Sequence, residues 1–477
     1  MIGQECRGYR VWGARRNSSL PESGVFPKSL SSVCVNGSAE SRSPLLGCGM
    51  LPKSLSSVCV NGSAEGRSPL PGCGVSPQIF FSSSSPQATS LRRIALYWHN
   101  GRSLGHTVRC ATLGKALLDQ LPASIVVGIT GASKGLELLP PEMDLIKIPS
   151  YLTYDDTGGV RATPILSLAK EQFQRIRENL ISTFIRDFQP QALIVDFHPE
   201  GKNGELIPTV INSPNTHKVL GLRGILGSPA DTNRNFFNSR LVAFMQEHFS
   251  AIHVYIDEHV LRLENYYTIP TSLSAMFKYT GYVTRPTLST KAEARALLQL
   301  EPEARIIVVS FGGGQGTEPI WQSILSGLSK VQRHFDYAYL SAGPYLEDGA
   351  YERLRAQVSL HPNWIWTRLL NPLPAWIKAS DFFIGSGGYN SLAEVIATGA
   401  NALIIPRQLN EREQELHATR LANLNILRIA NLETILSQDL NVLLEMCLTE
   451  PYSQDRKIKI STNGAENSAR LIESIIA

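Results

Sequence analysis

From Leu91 to the C-terminus, short apolar β-rich runs alternate with amphipathic helical stretches, and this alternation constrains the fold more than any other feature. In the first half the predicted strands are 93–98, 125–130, 145–148, 192–197, 218–222, 252–256 and 278–283. Helical patterns such as 106–120 and 163–188 lie between them. Strands separated by helices need crossover connections, hence a parallel sheet with helices on both faces. The second half repeats the scheme, with predicted strands 306–311, 337–342, 364–367, 382–384 and 402–405. Its helical segments are 318–334, 351–358, 388–397, 411–424 and the ending 463–477. A Pro286-containing stretch, 283–289, reads as the linker. The expectation is an α/β chain of two doubly wound Rossmann-like domains, 91–285 and 286–462, facing a cleft at their strand C-termini.

The first 90 residues read differently. Residues 27–51, PKSLSSVCVNGSAESRSPLLGCGML, are followed by a near-identical copy starting at Pro52. Two units are too few to bury a continuous solenoid core, and neither shows helical or alternating periodicity. Ser, Gly, Pro and Asn dominate, so burial cannot offset the entropy of ordering. The expectation for 1–90 is a low-complexity tail that is disordered or a mis-assigned start. Five of the seven cysteines, Cys6, Cys34, Cys48, Cys59 and Cys73, lie there. Their spacing fits no zinc pattern, and a cytosolic compartment disfavours a disulfide framework.

Composition narrows the function classes. With 45 basic and 41 acidic residues the net charge is only +4, which argues against a nucleic-acid partner. No run reaches the roughly 18 apolar residues a spanning helix needs, and no signal-peptide pattern is visible. Localisation is therefore expected to be cytoplasmic.

Five constellations follow strands. GRSLGHTVR, 101–109, opens a helix after the first strand, so its amides can approach an anion or sugar, and His106 falls in the first helical turn as a candidate base. A capping turn with an exposed histidine is the structural alternative. FGGGQGTEP, 311–319, places Gly312, Gly313, Gly314, Gln315 and Gly316 at a helix start, a phosphate cradle without a Walker lysine. In IGSGGYNSLAEVIATGANALIIPR, 384–407, a strand runs through Ser386, Gly387 and Gly388 into a helix whose N-terminus suits a diphosphate. Glu394, two turns along, suits the vicinal hydroxyls of a ribose. PRQLNEREQELHATRL, 406–421, carries Asn410, Glu411, Glu413 and Gln414 near a helix start, suited to sugar hydroxyls, with Arg407 beside them as a phosphate contact. VDFHPEGKNGEL, 195–206, clusters Asp196, His198, Glu200 and Glu205 at a strand end, where one can serve as general base for an acceptor. No HExxH and no Asp-x-Asp triplet is present, so no metal site and no cofactor is expected.

These blocks resemble the glycosyltransferase family that includes the lipid-linked GlcNAc transferase of peptidoglycan synthesis (MurG-like). The chain from Leu91 is similar to an uncharacterised branch of predicted glycosyltransferases that shares a GH-x-x-R loop, a VD-x-x-P-x-G-x-x-x-EL stretch, a TGYV strand and a GYN-x-x-x-E…PR…EQ block. The resemblance implies a GT-B fold, a nucleotide-sugar donor that is UDP-linked, and metal-independent transfer of a hexosyl group with inversion. It assigns the donor diphosphate to Gly312–Gly316 and Ser386–Gly388, with Asn390 in the same block, ribose to Glu394, and donor-sugar hydroxyls to Glu413 and Gln414. It sets His106 in the cleft, with Asp196 or Glu200 as alternative bases, and returns helix 463–477 to the first domain. Base recognition is implied to be by backbone, around residues 368–370. GRSLGH replaces a glycine-dense loop, Gly314 stands where the peptidoglycan enzymes carry serine, and Glu413 replaces one glutamine of a Gln-Gln pair. These departures argue against the peptidoglycan role and leave the donor sugar and base open. The acceptor, a small molecule, glycan or lipid, is left open; a lipid would bring peripheral membrane contact, for which stretch 173–186 has the character. The competing readings are a nucleotide-sugar hydrolase or 2-epimerase on the same fold, and a non-catalytic nucleotide-sugar binding protein.

Overall fold

The computed structural model describes residues 91–99, 104–156, 159–407, 412–436, 440–450 and 458–477. The tandem repeat, residues 100–103 of the first glycine loop, and Asn410 and Glu411 lie outside them.

The first domain runs β1 (Arg92–Trp98), α1 (Gly105–Gln120), β2 (Ser124–Thr130), β3 (Asp144–Lys147), a hairpin of β4 (Tyr151–Asp156) and β5 (Gly159–Pro164), and α2 (Lys170–Phe188). It continues with β6 (Ala192–Asp196), α3 (Ile207–Ile211), β7 (His217–Leu222), α4 (Pro229–Asn235), α5 (Ser239–His248), β8 (Ala251–Val254), α6 (Thr271–Ser274) and β9 (Phe277–Tyr279). Seven strands form one sheet in the order β3-β2-β1-β6-β7-β8-β9, every described pairing parallel. Strands β1 and β6 are wholly apolar at their centres (Ile94–Trp98 and Ala192–Val195 are buried), as expected for strands covered on both faces.

The second domain runs α7 (Lys291–Leu297), β10 (Ile306–Ser310), α8 (Glu318–Lys330), β11 (Tyr337–Ser341), α9 (Asp348–Val358), β12 (Trp364–Thr367), α10 (Leu373–Ala379) and β13 (Phe382–Ser386). Then come α11 (Tyr389–Thr398), β14 (Ala402–Ile405), α12 (Glu413–Asn423), β15 (Arg428–Ile429), α13 (Leu432–Leu436), α14 (Leu440–Thr449) and α15 (Gly464–Ile476). Its parallel sheet has the order β12-β11-β10-β13-β14-β15, so the order reverses between β10 and β13. Open α/β sheets bind ligands at such a switch point.

Two expectations need correction. The helix predicted from residue 163 begins at Lys170, because Gly159–Pro164 pairs antiparallel with Tyr151–Asp156. The Thr-Gly-Gly run 157–159 was the hairpin signal that a helical reading passed over. The short strand β15 was not anticipated; two residues give too little pattern to read.

The domains meet along one continuous apolar cluster. Tyr282 stacks on Tyr389 at 5.7 Å and on His417 at 5.6 Å, and its hydroxyl lies 2.6 Å from His417 Nε2. Tyr389 donates to Tyr255 O (2.6 Å) and accepts from Val283 N–H (2.9 Å). Helix α15 packs against α1, with Glu473 accepting from Gln120 at 2.8 Å and His253 Nδ1 2.7 Å from Ser468 Oγ. Beside the linker, Tyr282 N–H donates to Ser461 O and Gly464 N–H to Tyr282 O, both 2.9 Å, and Val283 bridges Asn463. Two chain crossings thus run side by side.

Candidate active site

On the first domain the site is built from charge. Strand β6 ends in Asp196, which is 1 % exposed. Arg109, one turn into α1 and 2 % exposed, grips it with Nε and a terminal nitrogen, each at 2.8 Å. His106 Nδ1 stands 2.5 Å from the same carboxylate. His106 and Arg109 are three apart on one helix, hence on one face. Burial would raise the Asp196 carboxyl, but Arg109 and His106 outweigh it and hold it well below the usual carboxylate range. Burial lowers the His106 ring below its ordinary value, although Asp196 pulls the other way. An ionised carboxylate only accepts, so the His106 proton sits on Nδ1 and the lone pair on Nε2. The Arg109 nitrogen 3.0 Å from Nδ1 then serves the carboxylate, not the ring.

Around this dyad lie two further histidines. His99, at the end of β1, is 6 % exposed and neither ring nitrogen has a hydrogen-bond partner. Burial, with Lys202 and His106 nearby, pushes it down to about 2, and His198 is likewise pushed down to about 3. Both are neutral at any working pH. Buried Glu205 accepts from Tyr97 Oη (2.7 Å) and Arg177 (2.5 Å) in the interior, and from Asn203 N–H (2.7 Å) nearer the surface. Glu200 is gripped bidentately by Arg240. The acidic and histidine cluster of 195–206 is therefore split three ways, and Asp196 is the member tied to His106.

On the second domain the site is built from backbone. Gly312, Gly314 and Gly316 have φ of +65°, +84° and +68°. A Cβ on Gly314 would stand 2.2 Å from Ala342 O, and one on Gly343 2.5 Å from Gly313 C, so the loops after β10 and β11 touch through bare backbone. This explains a glycine where the resemblance has serine. Ser386 Oγ comes within 3.8 Å of the Cβ position of Gly312, bringing the two glycine loops together across the switch point. Helix α11 starts after Gly388 with no side-chain cap, leaving its N-terminal amides for an anion. Gly387 abuts Gln414 and Pro406. Arg407 donates to Gln315 O (2.8 Å), and its N–H donates to Gln414 Oε1 (3.1 Å), locking the loop after β14 onto the cradle.

Glu394 is 2 % exposed, and its Oε1 accepts from Arg285 Nε (2.9 Å) and a terminal nitrogen (2.6 Å). Its Oε2 is buried without a partner. Glu413 pairs with Arg223, from the loop after β7, at 2.5 Å. Asn390, at the start of α11, donates to Gly105 O at 3.1 Å, so the N-termini of α11 and of the His106 helix α1 are adjacent. Sequence reasoning assigned no role to Arg109, Arg223 or Arg285. Only Arg109 left a signal, the H-x-x-R spacing that shares a helix face.

Among the described residues no group of three His, Cys, Asp or Glu is placed to hold a metal ion, and no helix is long and apolar enough to cross a membrane. In α2, Phe173, Arg177, Ile181 and Ile185 face the interior. Cys110 and Cys447 are buried thiols.

Residues 306–473 match the family profile described as the glycosyltransferase family 28 C-terminal domain. An uncharacterized glycosyltransferase of Methanosarcina acetivorans is 26% identical over 336 residues, covering 67% of this chain and 80% of the relative. Among solved structures, Acinetobacter baumannii MurG superposes with a TM-score of 0.51 at 15% identity, over 80% of this chain and 99% of its own. A UDP-GlcNAc 2-epimerase from Neisseria meningitidis bound to UDP-GlcNAc gives 0.51 at 12%, over 80% and 98%. These last two likenesses are of fold.

Proposed function

We propose that this chain, a MurG-like glycosyltransferase of the GT-B fold, moves a hexosyl group from a UDP-linked donor to an acceptor hydroxyl with inversion and without a bound metal. The observation that carries this reading is the Asn390–Gly105 hydrogen bond, because it sets an uncapped helix N-terminus directly beside the His106 helix. A diphosphate on the first and a hydroxyl approaching the second are then neighbours. The donor diphosphate lies against Gly312–Gly316 and Ser386–Gly388, where amides and helix dipoles meet the charge of the leaving group. Glu394 takes the ribose through its unpartnered Oε2 while Arg285 holds Oε1. Glu413 and Gln414 face the sugar.

Reaction is a single displacement. The acceptor oxygen attacks the anomeric carbon, its proton passes to His106 Nε2, and the bond to the β-phosphate oxygen breaks. Asp196 keeps the ring oriented and balances the imidazolium as it forms. The tight Tyr282–Tyr389–His417 contact limits water beside the donor.

Isothermal calorimetry with UDP, UDP-GlcNAc and UDP-glucose, with and without EDTA, tests the reading. Binding that survives EDTA and is lost in Glu394→Ala is expected; no binding of any nucleotide to the folded protein would sink it. The same fold carries 2-epimerases, so products formed without acceptor are decisive: an altered nucleotide sugar would replace transfer by epimerisation, and free hexose would replace it by hydrolysis.

A further inference from the structure

We infer that Arg223 is a positioning residue for the donor sugar. From the opposite domain it fixes Glu413 as an ion-paired, acceptor-only carboxylate that reads hydroxyl groups of a neutral hexose. The inference rests on the donor reading above.

Arg223 belongs to the acceptor-side sheet, directly after β7, yet its guanidinium reaches Glu413, the first residue of α12, at 2.5 Å. Both side chains are shielded, at 19% and 12% exposure, so the contact is not a solvent-screened surface pair. The guanidinium carbon also sits 4.8 Å over the Phe197 ring. Phe197 follows Asp196 at φ +73°, stacks on Phe236 at 5.8 Å and lies 6.2 Å from the His106 ring. One edge of the cation is therefore held by Glu413, and one face by a ring that itself neighbours His106. Its Nε is buried with no hydrogen-bond partner, a fixed donor that the protein does not use.

The chemistry follows from the residue types. A carboxylate offers only lone pairs, so a sugar must present O–H or N–H groups to it. A glutamine there would offer donors as well and would accept a wider range of substituents. A uronate would bring a second carboxylate toward Glu413 and be disfavoured. Removing Arg223 takes away the cation that aims this shielded carboxylate, so the sugar contact fails while the nucleotide cradle stands.

The test uses the full chain and three variants, Arg223→Met, Glu413→Gln and the double variant, with calorimetric affinities for UDP, UDP-glucose, UDP-galactose, UDP-GlcNAc and UDP-glucuronate. In the parent protein at least one neutral UDP-hexose should bind about tenfold tighter than UDP, roughly the worth of a hydrogen bond to a charged group. Arg223→Met should erase that gain while the affinity for UDP moves less than about twofold, which also shows the variant to be folded. The double variant should bind UDP like the parent and no hexose better than UDP. Retention of the hexose gain in Arg223→Met would overturn the inference, as would UDP-glucuronate binding the parent as tightly as the best neutral hexose. UDP binding with no gain from any hexose would overturn it and leave the donor reading intact, whereas failure of UDP itself would overturn that reading.

Discussion

The two walls of the cleft are made of different material. One, the proposed donor wall, is a surface of main chain: positive-φ glycines, close backbone approach and an uncapped helix start. The other, the proposed acceptor wall, is made of side-chain clusters: Arg109 and His106 on Asp196, and Arg177 on Glu205. A backbone wall tolerates varied sequence provided the glycines stay, and its amides suit a phosphate group common to many substrates. A side-chain wall is specific in its chemistry and intolerant of losing any one member. Damage to the first should show as weaker nucleotide binding, and damage to the second as lost turnover or lost stability.

The largest effect that sharpens this contrast is expected in His106→Ala, where kcat should fall about 10²- to 10⁴-fold with nucleotide affinity nearly unchanged. Steady-state kinetics beside calorimetry would check it; a parallel loss of UDP affinity would break the division. Beneath the dyad, Arg177→Met strands Glu205 without its cation, and unfolding by urea should show a loss of about 3–5 kcal/mol. Little loss would mean the buried network is not what holds the acceptor wall. On the donor wall, Gly314→Ala must both strain a φ of +84° and push against Ala342 O. Its UDP dissociation constant should rise roughly 10- to 100-fold, equivalent to about 1.4–2.7 kcal/mol, while the folded state survives. Equal affinity would show that the cradle tolerates a side chain.

The remaining tests vary pH. His106 must be neutral to accept a proton, and burial lowers its value, so kcat/KM should fall only below pH 6.5 and stay level above it. An acid limb centred above 6.5 would contradict that environment. His99, His198 and His417 are pushed down to about 2, 3 and 3 by burial, below the ordinary 6.5 they regain on unfolding. The unfolded chain therefore binds more protons below pH 6.5. Their contribution is whole above that pH and is lost progressively as pH falls toward 3. Urea midpoints at pH 7.5 and 5.5 would reveal it, and coincident midpoints would deny it.

The same contrast governs what was legible in the sequence. Strands such as 306–310 and 402–405 declare themselves because a parallel strand covered on both faces must be apolar throughout. Glycine loops declare themselves because no other residue adopts those backbone angles cheaply. The side-chain wall was readable only in part. Arg109 and Asp196 lie 87 positions apart and Arg285 and Glu394 lie 109 apart, and nothing local to either partner names the other. Clustering of Asp196, Glu200 and Glu205 in sequence even suggested one shared surface, whereas each meets a different arginine.

The paired crossings beside Tyr282 bear on how the cleft can move. One strand joining two bodies is a swivel and permits turning in every direction. Two strands bonded edge to edge, as residues 281–283 and 461–464 are, behave like a door hinge. Twisting across their common line would break the Tyr282–Ser461 and Gly464–Tyr282 bonds, whereas turning about it leaves them in place. The last helix, packed on α1, is one leaf of that hinge and ties the second chain crossing to the first domain.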